Sequence, residues 1–255
     1  MILIKKKDIF LLEELVMRNF ISKYKDSVLG IFWTILSPLL MMALFTIIFS
    51  TIFGRNINNF SVYFLCGWCI FNYFSSSVSQ SMVALKNNKG ILQRTPAPKY
   101  IFVLAAVISE FLNYLIMFVI LIAVMIVTGA PFYLTSLFSF IPIISLSIMV
   151  TGLGLILSIV CVYYTDVQHL WAVVSLMILY ASAIFYPMEI VPEPYRHYMM
   201  LNPVYWIIDQ FRCFMYQGVI PSVHYVANSL LLSLIILVLG IIVFVTYEYK
   251  VAMKF

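Results

Sequence analysis

Charge is what this sequence has least of. Only 10% of its 255 residues are charged and 64% are hydrophobic, whereas soluble domains carry charge on roughly a quarter of their residues. Too little polar surface is available to cover a soluble core, so lipid is the solvent that faces most of the chain. Cysteine is scarce as well: Cys66, Cys69, Cys161 and Cys213. Cys66 and Cys69 have C-x-x-C spacing but stand inside an apolar run with no second pair. That favours small apolar filler over zinc or redox chemistry, and it implies no disulfide framework. The histidines His169, His197 and His224 fall on separate segments, and neither H-E-x-x-H nor a nucleophile elbow occurs. No glycine is followed by lysine, so the phosphate-cradling G-x-x-x-x-G-K-[ST] loop is missing and this chain does not hold ATP by that route. The net charge of +5 needs no nucleic acid to explain it.

What fills the sequence instead is six long apolar runs. They predict an all-α integral membrane protein with six transmembrane helices: Leu29–Phe53, Phe60–Leu85, Tyr100–Thr128, Leu137–Val162, His169–Pro187 and His224–Tyr247. About 20 residues cross the hydrocarbon at helical rise. The period-two alternation of an outer-membrane barrel is not seen, nor is an internal repeat or a cleavable leader pattern. A single transmembrane domain over 1–255 is expected. Lys and Arg set its orientation. With the N-terminus inside, the inner segments hold twelve of the fifteen cations, and the outer ones hold Arg55, Arg196 and Arg212. The expectation is a multi-pass protein of the cytoplasmic membrane with both termini cytoplasmic.

Before the first span, residues 8–24 read as an amphipathic helix lying in the inner interface. Ile9, Leu12, Leu15, Val16, Met17 and Phe20 form its apolar face, Asp8 its N-cap, and Glu14 with Arg18 an i, i+4 pair. Pro38 kinks the first span. Phe45, Phe49 and Phe53 make an aromatic stripe there, and Phe60, Phe64, Trp68 and Phe71 make another on the second span. Such stripes either pack or line a path. Two readings also stand for the serine-rich Ser75–Ser81: hydroxyls bonding within and between helices, or a wet path. Glu110, with Asn113 one turn on, is either a pathway residue or a structural hydrogen-bonding group.

The inner loop 85–99 contains a short, proline-bounded, cationic knob. It reads as a docking element for something cytoplasmic. The outer segment 188–223 predicts a short re-entrant or interfacial helix pair. Asn202 and Pro203 open its second helix, Gly218 closes it, and Asp209 and Arg212 sit inside at i, i+3.

"KYKDSVLGIFWTILSPLL", "ILQRTPAPKYIFVLAAVIS" and "IFYPMEIVPEPYRHYMMLNPVYWIIDQFRCFMYQG", in that order, resemble the permease subunits of ATP-driven polysaccharide exporters of the type-2 ABC class. These move O-antigen, capsule-like glycans or teichoic acids. One departure is Thr165, where the family often has Arg before the Asp that here is Asp166. The resemblance implies a homodimer with two separate nucleotide-binding subunits, and a path for a lipid-linked glycan between the permeases. ATP and Mg would sit on the partner, with no cofactor on this chain and no enzyme activity of its own. Gly90, Ile91, Leu92, Gln93, Arg94 and Thr95 would form the coupling helix to the ATPase. Tyr195, Asn202, Pro203, Trp206, Asp209 and Arg212 would belong to the outer gate. Phe45, Phe49, Phe53, Phe60, Phe64, Trp68, Phe71 and Glu110 are the candidates for the substrate channel. A type-2 permease for a drug or lipid is the alternative, and a membrane enzyme or channel the more distant one.

Overall fold

The structure, a computed structural model, describes residues 6–25, 30, 32–52, 57–94 and 97–254. Every regular element among them is helical: α1 (Lys6–Ser22), α2 (Phe32–Ile52), α3 (Phe60–Asn87), α4 (Lys89–Arg94), α5 (Tyr100–Thr128), α6 (Phe140–Tyr163), α7 (Val167–Tyr180), α8 (Glu193–Met200), α9 (Pro203–Arg212) and α10 (Val223–Lys254). Short 3-10 turns at Leu134–Ser139 and Met188–Ile190 lead into α6 and α8.

Helix α3 is the centre. It packs against α5 and α6 along its length and meets α9 and α7 on other sides. The remaining helices are added outside: α10 on α6, and α1 on α5. Four segments are long and apolar enough to cross a bilayer: Phe32–Phe49, Tyr100–Thr128, Leu134–Tyr163 and Val223–Lys250. At 28 residues α3 is long enough too, but it carries Asn72, Gln80 and several serines. Neighbouring helices, not lipid, cover most of it, so it need not be uniformly apolar.

The predicted fifth span, His169–Pro187, differs most from the structure. Its helix stops at Tyr180 after 14 residues, roughly 21 Å, and turns follow. The third span matches residue for residue. Gly129, at φ 67, ends α5 in the left-handed conformation, and the Ala130 N–H donates to the carbonyl of Met125 (2.9 Å). That is the glycine helix stop that L side chains resist.

Two helix crossings depend on missing side chains. Gly152 of α6 and Gly240 of α10 touch backbone to backbone: a Cβ on Gly152 would lie 2.6 Å from the carbonyl oxygen of Ile236, and one on Gly240 2.5 Å from the carbonyl oxygen of Gly152. Nearby, the hydroxyls of Ser145 and Ser233 bond across the same interface at 2.9 Å. Small residues and a shared hydroxyl hold helices together where lipid gives no hydrophobic drive.

Helix α1 buries Leu15 and Val16 against Leu85, Ile101, Phe102 and Ala105. Ile9, Phe10, Met17 and Ile21 on its other side stay exposed. Among the described residues α1 is helical from Lys6 onward, which sets Asp8 within the helix and not at an N-cap. The expected Glu14–Arg18 pair is not formed, because Arg18 Nη2 donates to Asn88 Oδ1 at 2.5 Å instead.

Candidate translocation, coupling and gate sites

The two aromatic stripes face one another. Phe45 meets Phe64 (centroids 5.3 Å apart) and Phe185 (4.7 Å), Phe49 meets Phe60 (5.9 Å) and Phe185 (6.0 Å), and Phe64 stacks on Trp68 (5.6 Å). Phe64 is fully buried, and Phe60 and Phe71 are nearly so. Phe45, Phe49 and Trp68 keep part of their surface free. Within the single chain the stripes therefore pack, and the face they offer outward is narrower than the sequence suggests. Phe53 lies outside the described residues. Phe185, just beyond α7, is wedged into the same cluster; sequence periodicity does not reach it because it stands on a turn.

At the end of the bundle that carries α1 and α4, Lys23 forms an ion pair with Glu110, the only one among the described residues. Glu110 is buried, while the Lys23 side chain keeps about a third of its surface. The amide of Asn113 donates to Glu110 Oε2 (3.1 Å), Tyr24 donates to Asn113 Oδ1 (2.7 Å), and Thr34 donates to the Tyr24 hydroxyl (2.9 Å). This chain of bonds ties the C-terminal end of α1 to α5 and to the first turn of α2. It also lines a cavity of about 210 Å³ with Ser37, Pro38 and Asn72. A carboxylate at this depth needs a cation, and Lys23 supplies it. Both of its open readings therefore keep a basis: Glu110 is bonded structurally, and it borders a polar cavity.

Two serines of the Ser75–Ser81 run bond across helices, while Ser76 bonds within α3 to Asn72 and the buried hydroxyls of Ser77 and Ser81 have no partner among the described residues. Ser75 shares a hydrogen bond with Ser175 of α7 (2.8 Å), and Trp171 donates its indole N–H to Ser79 (3.2 Å).

The knob forms as the six-residue helix α4. Asn88 anchors it from the end of α3: its amide donates to the carbonyl of Ala84 (2.7 Å) and its oxygen accepts from Arg18. Ile91 and Leu92 lean inward on the α1–α5 cluster. Gly90, Gln93 and Arg94 are exposed, and among the described residues nothing beyond the adjoining backbone of α4 lies within 4 Å of where a Gly90 Cβ would be. Thr95 lies outside the described residues.

At the opposite end, Asn202 caps α9 by accepting from the N–H of Val204 (3.0 Å), with Pro203 in the first turn. After Arg212 the helix widens into one π turn, Cys213–Gln217, and stops at Gly218, φ 70. Tyr195 is exposed on α8, and Trp206 donates to the carbonyl of Met200 (2.7 Å). Asp209 and Arg212 do not form an ion pair. Arg212 is buried and donates to the carbonyls of Ala183 (2.9 Å) and Ile184 (3.1 Å), while Asp209 accepts from the Tyr225 hydroxyl (3.3 Å). Asn202 also donates to Ser182 Oγ (2.8 Å), and Tyr63 donates to the carbonyl of Tyr186 (2.9 Å). The segment after α7 is thus held by side chains from α3 and α9. Its peptide groups, which no longer pair along a helix, find partners there. Among the described residues no cluster of His, Cys, Asp and Glu that could hold a metal comes together.

The chain is 26% identical to the O-antigen export system permease protein RfbA of Klebsiella pneumoniae over 232 residues, 90% of this chain and 89% of that one. It is 26% identical to the polysialic acid transport protein KpsM of Escherichia coli over 230 residues, 88% of this chain and 89% of that one. With the capsule polysaccharide export inner-membrane protein CtrC of Neisseria meningitidis it shares 19% over 232 residues, 90% of this chain and 88% of the relative. The sequence model of the ABC-2 type transporter family matches residues 11–216, from α1 through the π turn after α9. The protein is a multi-pass membrane protein, and it belongs to the ABC-2 type transporter family.

Proposed function

We propose that this chain is the membrane-spanning subunit of an exporter that moves a lipid-linked polysaccharide, of O-antigen, capsule or teichoic-acid type, across the cytoplasmic membrane. ATP hydrolysis in separate subunits drives it. The observation that carries this reading is the match of polysaccharide and O-antigen export permeases to about nine-tenths of the chain and of their own length. The chain crosses the membrane six times, with both termini cytoplasmic; α7 makes the fifth pass and the turns after it complete the crossing. Two copies assemble. Support comes from α2, in whose 18-residue apolar segment only 6% of the residues are buried within one chain. A second copy facing α2 would set Phe45, Phe49 and Trp68 of both chains along a shared path. Helix α4 docks into the ATPase, with Gly90, Gln93 and Arg94 outward. The helices α8 and α9 stand at the outer mouth.

The test is deletion of the chain in its own host, followed by detection of surface glycan, with affinity purification of the tagged protein in parallel. Loss of surface glycan, intracellular accumulation of the lipid-linked polymer and recovery of an ATPase subunit are expected. Undiminished surface glycan would sink the reading, and export of a drug or free lipid instead would replace its substrate.

A further inference from the structure

Between α3, α9 and the turn after α7 lies a cavity of about 190 Å³ at the α9 end of the bundle. Its walls include Tyr63, Glu189, Tyr205, Asp209, Arg212 and Tyr216. The buried part of the wall is fixed. Tyr63 spends its hydroxyl on the carbonyls of Ala183 and Tyr186, and Tyr216 spends its own on the carbonyl of Asn58. The rim is held from behind, because Arg196 donates to the carbonyls of Glu189 (2.6 Å) and Val191 (2.7 Å). What is left over is binding capacity. Arg212 is 97% buried (3% exposed), yet its Nε–H has no hydrogen-bond partner. That N–H is out of reach even of a water molecule, so Arg212 gives the wall its charge and not a further donor. The Asp209 carboxylate accepts one long bond, from Tyr225, and has lone pairs to spare. Glu189 is exposed at the mouth. The half-buried rings of Tyr205 and Tyr216 offer apolar faces beside these groups.

We propose that this cavity is a binding site for one neutral sugar ring of the exported chain, held as it leaves the membrane. The proposal rests on the polysaccharide reading above and adds a site to it. Carboxylates accept from vicinal hydroxyls, and the tyrosine rings cover the C–H face of the sugar. The charge balance selects within the class. Two carboxylates face one guanidinium, so an acidic sugar is repelled and a neutral one is not. A divalent cation fits poorly, since two carboxylates are fewer oxygens than such ions take and Arg212 stands beside them. The volume admits a single ring, so successive units of a polymer would occupy it in turn.

The experiment is saturation-transfer NMR on the full-length protein in lipid nanodiscs, using methyl α-D-mannopyranoside, methyl β-D-galactopyranoside and the methyl glycoside of N-acetylneuraminic acid. Saturation is expected on at least one neutral glycoside and not on the acidic one. Asp209→Asn should weaken that binding about tenfold, as expected for one charged hydrogen bond. Glu189→Gln, at the exposed rim, serves if Asp209→Asn does not fold, and should weaken binding in the same direction. No transfer to either neutral glycoside, or equal binding by the wild type and both variants, would overturn the site. That failure is separable from failure of the export reading. If the site is wrong, deletion of the chain still abolishes surface glycan. If the export reading is wrong, deletion leaves the glycan in place while glycoside binding still supports the pocket.

Discussion

The guanidinium of Arg212 lies over the ring of Tyr63, 3.7 Å from its centroid, and both side chains donate to the carbonyl of Ala183. The arginine that ends α9 thus answers to the broken end of α7, and not to the aspartate one turn before it. Gly67 makes this possible, because a Cβ there would stand 2.7 Å from Arg212 Nη2. Three positions, on α3, α9 and the turn, are locked together by one cation.

Arg212→Met should therefore strand the carbonyls of Ala183 and Ile184 and cost roughly 3 kcal/mol. Arg212→Lys should recover only part of this, since an ammonium group cannot reproduce the planar fork. The thermal midpoint of the detergent-solubilised protein measures both. Tyr63→Phe should be milder, about 1–2 kcal/mol, because it removes the donor and keeps the ring under the guanidinium. Equal midpoints for Arg212→Met and wild type would show that the cation is dispensable to the turn.

The Lys23–Glu110 pair predicts an asymmetric mutant cycle. Glu110 is the buried partner, and Lys23 keeps a route to solvent. Lys23→Met leaves an unpaired carboxylate in the bundle and should cost about 3–5 kcal/mol. Glu110→Gln should cost less, because Lys23 can reach solvent. The double variant should recover most of the loss, which is the mark of a coupled pair. Midpoints from all four proteins check this, and additive losses would mean the two residues act independently.

These relationships show where the sequence is readable and where it is not. The third span was legible to the residue because its limits are local: Pro98 precedes it, and Gly129 stops it in the left-handed conformation. The cap at Asn202 and the stop at Gly218 were legible for the same reason. The end of α7 was not. Hydropathy runs on unbroken to Pro187, and what stops the helix is a set of partners, Tyr63, Asn202 and Arg212, that lie elsewhere in the chain. The Glu110 partner was hidden likewise, 87 residues away. Spacing on one helix suggested Asp209 with Arg212 and Glu14 with Arg18, and in both cases a tertiary partner won. Phe45 with Phe49, and Phe60 with Phe64 and Trp68, do lie ring against ring along their helices, but a face has two sides to its meaning. Only the packed structure tells Phe64, fully buried, from Trp68, half open.

Glycine substitutions separate crossing from docking. Gly152→Ala drives a methyl into the backbone of Ile236, which cannot give way as a flexible side chain would. A loss of at least about 2 kcal/mol and a drop in folded yield are expected. Gly90→Ala meets open space on α4 and should be neutral or stabilising by up to about 1 kcal/mol. Thermal midpoints of the two variants side by side give the answer, and a tolerated Gly152→Ala would contradict the close crossing.

Docking on α4 is best probed from its exposed side. Replacing Ile91 or Leu92 would disturb the α1–α5 cluster they lean on. Gly90→Trp and Arg94→Glu alter only the open face, beside a groove of about 400 Å³ that Arg18 and Asn88 also line. Both variants should keep the wild-type midpoint and lose most of the co-purified ATPase. Retention of the ATPase at wild-type stoichiometry would make α4 a linker.

The aromatic cluster allows lining and packing to be tested apart, because its members differ in exposure. Phe64 is fully buried and touches Phe45, Phe60, Trp68 and Phe185. Phe64→Ala should cost about 3–5 kcal/mol and reduce the amount of assembled protein, whatever the cluster is for. Phe49 and Trp68 are partly open, so truncating them removes less packing and more free aromatic surface. A sliding polymer needs contacts that are weak, non-directional and replaceable, and the face of a phenyl or indole ring supplies them by dispersion. The double variant Phe49→Ala with Trp68→Ala is therefore expected to insert, to bring down the ATPase, and yet to lower surface glycan severalfold. The measurement is surface glycan per assembled complex, which normalises away any loss of protein. If that ratio stays at the wild-type value, the open rings are packing like Phe64, and the path runs along another face.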